Sequence, residues 1–155
     1  MSWLARALLS AGMDVTLIVD GANVMGSRAD GWWRDRAGAM ARLHGELAAL
    51  ADQGISGPVP GAGEADEAAG ECWFPYVYLV VEGRARAVLD VVAPAPRVRV
   101  VAARGEGDDE IASLAGQLPG QRIVVTADRE LRRRWAAGRR GWCAMVGGHG
   151  GHRDR

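Results

Sequence analysis

Three apolar runs in this chain each lead into an acidic residue, and that repeated ending narrows the available folds more than any other feature. Val15-Thr16-Leu17-Ile18-Val19 runs into Asp20, with Asn23 three residues on. Val98 to Ala103 come just before Asp108 and Asp109, and Ile123-Val124-Val125 lead through Thr126 and Ala127 to Asp128. Short apolar runs stopped by Gly or Asp read as strands buried on both faces. In an open α/β sheet the carboxyl ends of parallel strands share one edge, and the site forms there. The three acidic ends are therefore expected to converge on one crevice. Carboxylates gathered together repel unless something cationic joins them. The chain has no Lys, and no His lies in these segments, so a bound metal ion is the expected counter-charge.

A length of 155 residues suits one domain with appendages and permits an independent core. A net charge of +0 gives no global field to announce nucleic acid or membrane. The 19 basic residues are all Arg, a pattern that GC-rich coding bias explains better than a preference for planar, bidentate donors does. Cys72 and Cys143 form no CxxC pair and no zinc spacing with a His, and are read as reduced thiols. The first residues lack a basic leader followed by a continuous apolar stretch, and no run reaches membrane-spanning length. The expectation is a cytoplasmic protein that does not enter the membrane.

Strands are expected at 15–19, 76–81, 98–102 and 123–125, with a weak fifth at 143–146. A helix is expected from about Trp33 to Ala51, because Trp33, Ala37, Met40, Leu43, Leu47 and Leu50 step by three and four. Asp30 stands upstream as its cap. Further helices are expected at 84–90, from Asp108 or Asp109 to Leu118, and from about Arg129 to Ala137. Residues 51–71 are rich in Gly, Ala, Pro and acid without periodicity, which reads as a flexible insertion. This alternation predicts an α/β fold, a single-domain open parallel sheet of about four to five strands flanked by helices. The domain is placed at 13–147, with 1–12 as an N-terminal extension and 148–155 as a flexible tail.

Oxygen ligands select Mg²⁺ or Mn²⁺ over zinc or copper. A site of Asp20, Asp108, Asp109 and Asp128 therefore predicts one of these ions and phosphodiester hydrolysis, in which a metal activates water and polarises the phosphoryl group. No Ser/His/Asp or Cys/His arrangement offers a side-chain nucleophile. Each acid also has a plainer reading, as a helix cap or first-turn partner of the macrodipole. What favours the site is their shared edge.

The segments IVDGANVMG, GDDEI and VVTADREL resemble the NYN branch of the PIN-like metal-dependent nucleases, close to the YacP-like group, over roughly residues 14 to 146. The resemblance implies a small parallel sheet whose first and fourth strands lie side by side, so that Asp20 and Asp128 face each other. It also implies a central acid at Asp108, three before Ile111, with Asp109 replacing or assisting it. Asn23 matches the Asn of the DGxN turn that orients the first acid or a phosphate, Thr126 the small hydroxylic residue before the last acid, and Glu82 the extra acid near the second strand. RNA, rather than DNA, is the substrate the resemblance implies.

Arg129, Arg132 and Arg133 fall on one face of the helix expected after Asp128, suited to flanking phosphates, although a solvated helix face has the same pattern. By helical phasing Trp33 is expected in the core, leaving Trp32 to pack or to stack on a base. The expected activity is a Mg²⁺- or Mn²⁺-dependent ribonuclease, an endonuclease. The alternatives are a non-catalytic RNA-binding domain and a nucleotide phosphohydrolase on the same fold. A haloacid-dehalogenase site is excluded, because Ala22 stands where it needs a second Asp. Receiver chemistry is excluded because it needs a Lys.

Overall fold

A central strand buried along its whole length lays out the architecture. The computed structural model describes residues 15–57, 59, 72–128, 133 and 142–145. The expected N-terminal extension, the helix from 129, except for residue 133, and the tail lie outside these. Chain order is β1 (Val15–Asp20), α1 (Gly21–Gly26), α2 (Arg36–Gln53), β2 (Ile55–Ser56), β3 (Cys72–Trp73) and β4 (Tyr76–Val81). A 3-10 helix (Gly83–Asp90), β5 (Val98–Ala102), α3 (Gly107–Gln117), β6 (Gln121–Thr126) and β7 (Trp142–Met145) follow.

Among the described residues five strands form one sheet in the order β5-β4-β1-β6-β7, and each neighbouring pair is parallel. The chain steps outward from β1 to β4 and β5, then returns to place β6 on the other side of β1. That reversal makes the carboxyl ends of β1 and β6 the switch point of the sheet, the crevice where such folds take ligands. The fold class expected from the sequence is the one observed.

Every residue of β1 is buried, as a central parallel strand requires. Val15, Leu17 and Val19 point to one face with Val77, Leu79, Val81 and Ile123, against Val24 and Met25 of α1, Met40 and Leu43 of α2, and Val88 of the 3-10 helix. Ile18, Val80 and Val124 point to the other, against Ile111 and Ala115 of α3. Burial of each large aliphatic side chain contributes about 1.5–3 kcal/mol, so both layers hold the carboxyl edge of β1 in place. His44 is the buried titratable group of α2, and burial pushes its imidazole below the ordinary histidine pKa.

Helix α2 begins later than its apolar spacing predicts. Asp30 does not cap it. The Asp30 carboxylate accepts instead from the Trp32 amide at 3.2 Å, Gly31 adopts φ +78, and Asp35 caps the helix through the Gly38 amide at 2.9 Å. Trp33 therefore lies in a turn and is 57% exposed, while Trp32 is the one packed against the core. This corrects the expected assignment of the two rings. Leu50, expected on the buried face, is also exposed.

The segment 51–71 is not wholly irregular. Its first residues extend α2 to Gln53, Gly54 ends the helix at φ +84, and β2 pairs antiparallel with β3 across the insertion. Apart from residue 59, residues 58–71 lie outside the description. No helix among the described residues is long and apolar enough to cross a membrane.

Candidate active site

Asp20 is both the last residue of β1 and the N-cap of α1, and its side chain is only 3% exposed. Burial of a carboxylate is costly without donors, and the local sequence supplies them. The Asn23 side-chain amide donates to Oδ2 at 2.5 Å, and the Asn23 backbone amide makes a longer contact to Oδ1 at 3.4 Å. The Thr126 hydroxyl, from the end of the adjacent strand β6, donates to Oδ2 at 3.0 Å. That same hydroxyl accepts from the Asp128 amide at 3.0 Å. Thr126 is fully buried, so one hydroxyl links the first acid to the backbone of the last. Two of the expected strand ends thus meet at the switch point.

The third expected locus stands on the same edge by a different route. The Ala103 amide donates to the Val81 carbonyl at 2.9 Å, carrying the ladder one residue past β5. Glu106 makes no side-chain cap to α3. Glu82, at the end of β4, does this from a distance, its carboxylate accepting from the Gly107 amide at 2.6 Å. A Cβ on residue 107 would sit 2.9 Å from that carboxylate oxygen, so a larger residue there would oblige the Glu82 side chain to shift. The Arg86 guanidinium donates to the Ala103 carbonyl and steadies the same loop. Helix α3 packs on β1 and β4, with Asp108 half-buried and Asp109 exposed in its first turn. Glu82 therefore positions the helix that carries Asp108. Gly107 was not singled out from the sequence, although a glycine directly before an acidic pair was the available signal.

Asp20, Asp108, Asp109 and Asp128 were expected to gather in one cage. Among the described residues no three His, Cys, Asp or Glu side chains gather closely enough to hold a metal ion. Asp20 itself accepts hydrogen bonds from Asn23 and Thr126. The residues still fit a hard cation in kind. Donors at this edge are oxygens, no ion pair between described residues involves Asp20, and Mg²⁺ commonly binds through one or two carboxylates plus waters and substrate phosphates.

Of the basic stripe expected after Asp128, Arg129 and Arg132 lie outside the described residues, while Arg133 is exposed. Among the described residues the ion pairs, Arg28 with Glu46 at 2.7 Å and Arg42 with Asp30 at 3.8 Å, belong to the outer face of α2. Comparison with family models, with curated proteins and with solved structures finds no match to this chain.

Proposed function

We propose that this chain is a Mg²⁺- or Mn²⁺-dependent ribonuclease of the NYN/PIN-like kind, acting in the cytoplasm as an endonuclease. The observation that carries the proposal is the buried Asp20 carboxylate at the switch point, fixed by Asn23 and tied through Thr126 to Asp128. A buried acid with neutral donors and no cation between described residues is poised for an added positive charge. Asp20 and Asp128 would hold the ion, with Asp108 beside them. The ion would supply Lewis-acid polarisation of the phosphoryl group and a more acidic water.

The chain's own residues divide the remaining work. Asn23 holds the Asp20 carboxylate in one rotamer, so its charge needs no reorganisation during reaction. Thr126 fixes the spacing of the two strand ends by donating to one and accepting from the other. Glu82 sets where α3 begins and so where Asp108 stands. The buried floor under Asp20, formed by Ile18, Val80 and Val124, lowers the local dielectric and strengthens every charge interaction above it.

Purified protein is expected to cut single-stranded RNA internally in Mn²⁺ or Mg²⁺ and to stop when EDTA is added, read as shortened fragments on a denaturing gel. RNA bound but never cut, whatever the divalent ion, identifies a binding domain instead. Nucleoside triphosphates hydrolysed far faster than RNA identify a nucleotide phosphohydrolase.

A further inference from the structure

The turn between α1 and α2 carries an aromatic and cationic group that phosphate hydrolysis leaves unused. Trp32 and Trp33 meet edge to face, with centroids 6.1 Å apart and planes at 85°. Arg36 lies over the Trp32 ring at 5.4 Å and Arg34 over the Trp33 ring at 5.9 Å. Trp32 is the anchor. It packs on the core and lies against the end of α1, where a Cβ on Gly26 would meet its Cζ2 at 3.8 Å. Trp33 is the presented ring, 57% exposed.

The acids of this turn are already engaged. Asp30 accepts from the Trp32 amide and pairs with Arg42, and Asp35 caps α2. What faces outward is the Trp33 indole with the Arg34 guanidinium over its ring, beside the Trp32 indole that carries Arg36. The turn also lies at the site's edge of the sheet: β1 ends at Asp20, and α2 must run back alongside the strands to reach β4. The intervening α1 is only six residues long, about 9 Å of helix.

We propose that Trp33, flanked by Arg34 and Arg36, is a stacking platform for an unpaired base of single-stranded RNA whose backbone continues to Asp20. The proposal rests on the ribonuclease reading for the identity of the strand. An indole offers its face to any unstacked base, and adjacent guanidiniums meet the phosphates that flank it. Bases inside a duplex are already stacked and do not reach such a platform.

The test is binding of a fluorescent oligoribonucleotide, followed by anisotropy in EDTA so that nothing is cut. Trp33→Ala is expected to weaken binding by about 5- to 150-fold, and Trp33→Phe to restore most of it. The difference between wild type and Trp33→Ala should vanish with an abasic oligoribonucleotide and with a blunt RNA duplex. Because Trp33 is exposed, the thermal unfolding of Trp33→Ala should match that of wild type. Equal affinity of wild type and Trp33→Ala for the single strand overturns the proposal. So does an equal loss on the abasic probe, or no binding of the single strand at all. The measurement is independent of turnover. Trp33-dependent binding by a protein that never cleaves removes the ribonuclease reading and leaves the platform, whereas cleavage with Trp33-independent binding does the reverse.

Discussion

Asp20→Asn is expected to lower Mn²⁺-dependent RNA cleavage by at least about a hundredfold, since it removes the charge that electrostatic and metal-assisted catalysis both need. The substitution separates charge from shape. With its amide oxygen at the Oδ2 position, Asn still accepts from the Thr126 hydroxyl and the Asn23 side chain, and what it gives up is the long 3.4 Å contact from the Asn23 backbone amide. Circular dichroism and thermal unfolding should therefore stay close to wild type while turnover collapses. Wild-type and variant preparations with equal activity would trace the cleavage to a contaminant. Unfolding of the variant would instead show Asp20 to be a structural acid.

Gly21→Ala should destabilise the fold by about 1–3 kcal/mol, the usual range for overpacking a closed core. A Cβ there would lie 2.6 Å from the Val80 carbonyl oxygen and 3.0 Å from Met40 Cε. Met40 is flexible and can yield in part, but the Val80 carbonyl belongs to a strand paired directly with β1. Combining Gly21→Ala with Met40→Ala should therefore not restore stability, because the backbone contact persists and a cavity is added. The urea midpoint reads both variants. A neutral Gly21→Ala would mean that α1 does not leave β1 as closely as described.

Much of this arrangement was legible in the sequence because buried strands write themselves as uninterrupted apolar runs. Strands β4 and β5 lie at the expected bounds, and β1 and β6 differ from theirs by a residue or two at the ends. The resemblance pointed to Thr126 as the hydroxylic residue before the last acid, but not to its hydrogen bonds with Asp20 and the Asp128 amide. The start of α2 was not legible, for a specific reason. Asp30 and Asp35 are both good caps, and the choice falls to Gly31, whose positive φ turns the chain and postpones the helix. One postponed cap exchanged the roles of Trp32 and Trp33. The β2–β3 pairing was hidden because it joins residues on either side of the insertion, and two-residue strands carry no periodicity of their own. Glu82 was seen as an acid near the second strand, but its task as a remote cap depends on Gly107, which only the tertiary fold brings beside it. The hydrogen bonds that Asp20 accepts from Asn23 and Thr126 were not legible as a set, because Thr126 comes from a strand more than a hundred residues on.

Crystals soaked in Mn²⁺ and measured at a wavelength where manganese scatters anomalously would show whether the edge at Asp20 and Asp128 holds a metal ion. An anomalous peak is expected at the carboxyl ends of β1 and β6, within coordination distance of the Asp20 and Asp128 carboxylates, and it should be lost in Asp20→Asn crystals. A well-ordered edge with no peak, while RNA is still cut in the same Mn²⁺ solution, would contradict it.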